Sequence, residues 1–183
     1  MYITNEQHKR SISKFLSLIL RHSPQAIGLQ LDENGWADIK ELLVKSADHG
    51  NPFSRVELEE IVATNDKKRF AFNDVHTHIR ASQGHSVNID LDLQQSEPPE
   101  YLYHGTVSKF LQSIKEKGLL KMSRQHVHLS SDRETATKVG SRRGVPIILE
   151  IRSGQMYKEG ISFYLSENNV WLTEAVPSQY IIL

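Results

Sequence analysis

A change of hydrophobic rhythm at residues 87–100 constrains this chain more than any other feature. The stretch VNIDLDLQQSEPPE has no long apolar period and ends in an acidic Pro-Pro segment, which disfavours helix and favours extended chain. Before it, apolar residues recur at helical spacing; after it, they gather in short strand-like runs. The pattern predicts an α+β protein with one lobe at 1–86, a linker at 87–100 and a second lobe at 101–183. A chain of 183 residues that is 38% hydrophobic can give each lobe its own core.

In the first half, Thr4-x-x-Gln7 fits a capping box that opens a helix. Ile12, Phe15, Leu16, Ile19 and Leu20 form its apolar stripe. Arg21 points almost opposite that stripe, His22 lies at its edge, and Leu18 lies well off it. A leucine there implies a second body covering that side, with Arg21 facing it. Basic residues often close helices, so Arg21-His22 before Ser23-Pro24 suits both a plain helix end and a pair awaiting an anion. Asp38 caps a second helix through Ile39, Leu42 and Leu43 that ends near Gly50. Ser54-x-x-Glu57 opens a third through Val56, Leu58, Ile61 and Val62. Residues 67–86, KKRFAFNDVHTHIRASQGHS, read as a hairpin about Asn73-Asp74. A tight turn there sets Phe70, Phe72, Val75, Thr77 and Ile79 on one face and Arg69, His76, His78 and Arg80 on the other. Three helices and a two-stranded wing make a winged-helix arrangement, common among nucleic-acid-binding proteins. The basic face suits either a nucleic acid or simple solvation.

In the second half, YLYHGT (101–106), HVHLSS (126–131), FYLSENNVWL and YIIL read as strands. VSKFLQSIKEKG (107–118) reads as a helix with Phe110, Leu111 and Ile114 inward. Asp132 caps another helix through Ala136 and Val139 to Gly140, and Arg142 and Arg143 lie in the loop beyond. Gly105, Gly140 and Gly144 stand where a backbone can approach a ligand closely.

Composition removes several classes. The 22 basic and 22 acidic residues balance, so any nucleic-acid site is a local patch. The absence of cysteine excludes disulfides, thiol catalysis and cysteine zinc sites. His76-x-His78 and His126-x-His128 each put two imidazoles on one strand face, but with no third ligand at suitable spacing no metal is expected. There is no G-x-S-x-G elbow, P-loop or G-x-G-x-x-G fingerprint. MYITNEQHKRS carries no apolar h-region and no apolar run reaches membrane-spanning length, so a cytoplasmic, monomeric protein with no membrane partner is expected.

Six blocks in order carry a resemblance: SKFLSLILRHSPQAIGLQLDENGWADI, DKKRF, IRASQGHS, LYHGT, HVHLS and VGSRRGVPIIL. Across nearly its whole length the chain resembles the RNA 2′-phosphotransferase family, of the bacterial KptA-like type. The resemblance implies an N-terminal winged-helix lobe that receives RNA and a C-terminal lobe of ADP-ribosyltransferase fold that binds NAD⁺. It implies removal of an internal RNA 2′-phosphate in two steps. The phosphate is first ADP-ribosylated with loss of nicotinamide. The ribose 2″-hydroxyl then attacks phosphorus, releasing 2′-hydroxyl RNA and ADP-ribose 1″,2″-cyclic phosphate. The family's catalytic quartet falls on Arg21, His22, Arg69 and Arg142, the last rather than Arg143 by counting from Val139-Gly140. The NAD⁺ side falls on His104, Gly105 and Thr106, on His128, Leu129 and Ser130, and on Gly140 and Gly144. The RNA phosphate falls to Arg21, His22, Arg69, Arg80 and His85. A phosphate nucleophile needs no general base, so Glu174 in WLTEAVP is read as incidental. The other classes left open are an ADP-ribosyltransferase acting on another acceptor, such as a nucleic-acid end or a protein, and a catalytically silent RNA-binding module.

Overall fold

The computed structural model describes residues 5–65 and 67–183, so Thr4 of the expected first capping box lies outside the described residues. The chain divides into two compact units, one ending at Asp92 and the other running from Leu93 to Leu183. Among the described residues no helix is long and apolar enough to cross a membrane.

In the first unit Asn5 caps α1 (Glu6–Arg21), its side chain accepting from the Gln7 N–H at 2.9 Å. Ile12, Leu16, Ile19 and Leu20 of the expected stripe are buried, and Phe15 meets Phe53 edge-on. Leu18, off that stripe, is 47% exposed. β1 (Ala37–Asp38) leads into α2 (Ile39–Asp48), with the Asp38 carboxylate accepting from the Glu41 N–H. The Ser54–Glu57 capping box opens α3 (Arg55–Thr64), and its backbone hydrogen bond with Ser54 holds the Glu57 carboxyl below the usual range. Leu58 and Ile61 of α3 are buried, whereas Val56 points to solvent.

β2 (Phe70–Phe72) and β3 (His78–Ala81) form the expected hairpin, pairing Phe70 with Ala81, Ala71 with Arg80 and Phe72 with Ile79. Its connection is longer than the tight turn expected. The Asn73 side chain accepts from the N–H groups of Thr77 and His78, closing a five-residue loop. Val75 is therefore exposed at the loop tip. His76, at φ +54°, stacks on Phe72 instead of joining the opposite face. Pairing alternation does place Phe70, Phe72 and Ile79 opposite Arg80 and His78, as expected. The wing has three strands rather than two, in the order β1-β3-β2, because Ala37 and Asp38 pair with Ile79 and His78. Residues beyond the hairpin return to the same unit. The Ser86 and Val87 N–H groups donate to the Arg21 carbonyl, and Asp90 exchanges contacts with Glu33 and Asn34.

The second unit begins with pinned chain. Gln95 bridges Tyr164, the Ser96 N–H donates to Phe163, and the Pro99 carbonyl accepts from the Ser153 hydroxyl. The segment from 87 to 100 is thus irregular, as its composition implies, but tied down at both ends. Then come β4 (Leu102–Thr106), α4 (Ser108–Lys117), β5 (Leu119–Leu120), β6 (Val127–Leu129), α5 (Arg133–Gly140) and β7 (Ile147–Ile151). After these follow α6 (Ser153–Lys158), β8 (Tyr164–Leu165), β9 (Trp171–Thr173), β10 (Ala175–Val176) and β11 (Ile181–Ile182). They pair antiparallel as β11-β7-β4, β6-β9-β8 and β10-β5. Tyr103 and Ser130 exchange backbone hydrogen bonds and join β4 to the end of β6. Leu102, Leu129, Leu149, Ile151, Met156 and Phe163 lie at the centre of the core. Ile114 is buried as expected, while Phe110 and Val139 remain exposed.

Two glycines let α5 lie almost on β4. A Cβ on Gly105 would stand 2.0 Å from the Ala136 carbonyl oxygen, and one on Gly140 would stand 3.2 Å from the Gly105 Cα. At Gly105 backbone meets backbone, so no side chain can move to make room. Gly105→Ala is expected to cost about 3 kcal/mol or more through overpacking. Gly50→Ala meets nothing within 4 Å and carries only the strain of φ +76°, about 1 kcal/mol. Urea denaturation of the two variants checks this: equal midpoints would show that the approach of α5 to β4 does not limit packing.

Candidate functional site

In the first unit, cations gather where α1 ends. Arg21 is the last residue of α1 and His22 its cap, with the His22 N–H donating to the Leu18 carbonyl. The Arg21 guanidinium lies 6.0 Å from the centre of the Phe70 ring. His22 Nδ1 is 2.9 Å from the Ser86 hydroxyl. Arg80 stacks 4.4 Å above Trp36. Trp36 is held by a turn in which the Asp32 carboxylate accepts from the N–H groups of Asn34 and Trp36. Arg69, one residue before Phe70, donates to Asn65 Oδ1 at 3.4 Å.

His85 lies among these cations. It is only 1% exposed, and neither ring nitrogen has a hydrogen-bond partner among the described residues. Burial, together with the charges of Arg21, His22 and Arg80, pushes its pKa down to about 3. It is a neutral imidazole packed against Gly35: a Cβ at Gly35 would stand 3.6 Å from its Nε2. The sequence alone showed the basic residues but not Trp36 and Gly35, which support them from a distant turn.

The second unit builds a different site around β4 and β6. His104 Nδ1 lies 3.1 Å from the His128 carbonyl, so it must donate, and burial lowers its pKa. The ring is neutral and keeps a lone pair on Nε2. His128 has the opposite tautomer. Its Nδ1 lies 2.8 Å from the Arg124 guanidinium, which can only donate, so the proton sits on Nε2. Thr106 and Leu129 are buried, and Ser130 is the backbone partner of Tyr103. Arg142 and Arg143 form the short turn Ser141–Arg143 after α5. Arg143 lies 6.0 Å from the Phe110 ring centre, and its charge bears on His104 and Arg124. Gly144, at φ +137°, ends that turn beside Val107. Glu174 forms an exposed ion pair with Lys121. His126 lies against Tyr164, and the paired histidines 76 and 78 are held by Phe72 and Thr77.

Comparison with known proteins identifies the family. The family described as "RNA 2'-phosphotransferase, Tpt1 / KptA family" matches residues 7–175. The chain belongs to the RNA 2′-phosphotransferase family. It is 64% identical over 177 residues to a probable RNA 2′-phosphotransferase of Flavobacterium johnsoniae, covering 97% of each chain. It is 51% identical over 186 residues to one of Streptomyces griseus, covering 98% of each. A third relative, from Burkholderia pseudomallei, is 53% identical over 169 residues, 92% of each chain. The protein is an RNA 2′-phosphotransferase enzyme, of a family that uses NAD⁺. For an RNA 2′-phosphotransferase, both basic clusters carry charge suited to anionic substrates.

The neutral state of His85 has a measurable consequence. Its folded pKa of about 3 lies below the ~6.5 of the unfolded chain, so the unfolded chain takes up this proton first as pH falls. Stability is therefore lost on acidification from pH 6.5 towards 3. Between pH 6 and 5 the loss from this group is about 1 kcal/mol. Chemical denaturation at the two pH values is expected to show that loss in the wild type and a correspondingly smaller one in His85→Gln.

Proposed function

We propose that the first unit is a winged-helix lobe that holds the RNA 2′-phosphate on Arg21, His22, Arg69, Arg80 and His85. The second is an ADP-ribosyltransferase-like lobe that binds NAD⁺ through His104, Gly105, Thr106, His128, Leu129 and Ser130. Gly140 and Gly144 shape its edge, and Arg142 completes the catalytic quartet. The observation that carries this reading is His85: a buried imidazole with two unpartnered nitrogens amid cations, a setting that an incoming phosphate completes. An oxyanion offers acceptors to the His85 N–H and to guanidinium forks, and relieves the repulsion that now lowers the histidine's pKa.

The fit to NAD⁺ rests on donors and acceptors. The Nε2 lone pair of His104 suits a ribose hydroxyl, and the Nε2–H of His128 suits an oxygen acceptor. When bound, NAD⁺ supplies the ADP-ribosyl group and nicotinamide as its leaving group. The protein's share is positioning and charge. Within the first unit Arg21 and Arg69 hold the phosphate oxygens and stabilise the added negative charge as phosphorus becomes crowded. His22, fixed by Ser86, orients the phosphate or gives a proton to the departing ribose oxygen. The substrate is a 2′-phosphorylated RNA.

Nicotinamide release is the direct test. It is expected with 2′-phosphorylated RNA and not with the same RNA bearing a 2′-hydroxyl. Arg69→Ala is expected to lower the rate by about 10²- to 10³-fold. Arg69→Lys should not restore it, because lysine lacks the bidentate fork. His85→Ala should raise KM for RNA while calorimetry shows ADP-ribose affinity unchanged. Release driven equally well by unphosphorylated RNA or by a protein would favour transfer to another acceptor.

A further inference from the structure

The His22 ring is held by a residue from the far side of the hairpin. Backbone hydrogen bonds fix both partners before their side chains meet. The N–H groups of His22 and Ser23 both donate to the Leu18 carbonyl, at 3.0 and 2.9 Å, and pin the end of α1. The Ser86 N–H donates to the Arg21 carbonyl at 2.9 Å, which ties Ser86 to the peptide that leads into His22. Only side-chain rotations then remain between the two groups, and the Ser86 hydroxyl stands 2.9 Å from His22 Nδ1. With Nδ1 turned to Ser86, Nε2 is the nitrogen that points away from it. Both residues are exposed, so a substrate can reach the pair.

A hydroxyl suits this place because it both donates and accepts. Ser86 donates to Nδ1 of a neutral ring that carries its proton on Nε2. It accepts from the Nδ1–H of a charged ring. In both states Nε2–H is a donor. A carboxylate in the same place could only accept. It would favour the neutral tautomer with a lone pair on Nε2, which repels a phosphate oxygen.

We propose that Ser86 is a positioning residue for the reaction, holding His22 in the tautomer that directs Nε2–H at the RNA 2′-phosphate. This inference rests on the reading that His22 meets that phosphate. It makes His22 a hydrogen-bond donor whether the ring is neutral or charged. Ser86 acts through the ring alone and touches no reacting atom.

Imidazole nitrogen NMR of the free full-length protein at about pH 8, where imidazoles are neutral, tests this together with single-turnover kinetics on 2′-phosphorylated RNA. The His22 resonances, assigned by their loss in His22→Ala, are expected to report the Nε2–H tautomer in the wild type. Ser86→Ala is expected to show exchange between both tautomers. Its rate at saturating RNA should fall about tenfold, the worth of one hydrogen bond, with KM for NAD⁺ within about twofold. Ser86→Thr keeps the hydroxyl and should restore both tautomer and rate. A wild-type ring protonated on Nδ1 overturns the inference. So does an unchanged rate in Ser86→Ala, or a slower rate with the tautomer unchanged, which would separate Ser86 from His22. A Ser86→Thr protein that recovers neither assigns the serine a structural role and also overturns it. A fully active His22→Ala protein overturns the reading that His22 meets the phosphate, and the inference falls with it.

Discussion

The second unit depends on one approach of backbone to backbone, where α5 presses on β4 at Gly105 and Gly140. At that distance the helix end, and the arginine turn that follows it, must come down beside His104. A side chain at Gly105 would lift α5 and carry Arg142 and Arg143 away with it, and one at Gly140 would press on Pro146 and Gly105. Those glycines therefore act through packing: they decide where two guanidiniums stand. The Tyr103–Ser130 bridge then fixes β6 to the same strand, which brings His128, and Arg124 bound to it, up to His104.

Charge in this chain is sorted rather than accumulated. Net charge is zero, yet each unit keeps a basic cluster. Carboxylates are committed elsewhere, to pairs such as Lys9–Glu60, Arg55–Glu59 and Lys138–Glu134, and to caps such as Asp38 and Asp132. Such surface pairs contribute little stability. Their larger effect is to hold these acids on the charges next to them along the chain or across the surface. Both clusters also keep a neutral histidine amid positive charge, His85 in one and His104 in the other, and burial is the main cause in each.

What could be read from sequence was local. The α1 stripe, the Asp38 and Ser54 caps, the Asp132 cap and the hairpin all depend on residues a few positions apart, and all are present. What could not be read depends on partners far along the chain. β1 has two residues and no period of its own; it exists because β3 offers it an edge. α6, SGQMYK, is short and carries a glycine, and it is stabilised by burial of Ser153, Gly154 and Met156. The hairpin loop exceeded two residues because the Asn73 side chain closes it. The basic residues of the site were visible as types. The groups that orient them, Trp36 for Arg80 and Arg124 for His128, carry no pattern in one dimension.

One acceptor in the first unit serves two amides. The Arg21 carbonyl, at the open end of α1, receives the N–H groups of both Ser86 and Val87 at 2.9 and 3.3 Å. The His22 ring touches the Ser86 hydroxyl from the same side. Helix end and the irregular chain after the hairpin are thereby stitched at a single peptide. Ser86 and Val87 consequently serve as built-in reporters: their amide exchange rates and chemical shifts register any displacement of Arg21 and His22, without a label introduced beside them.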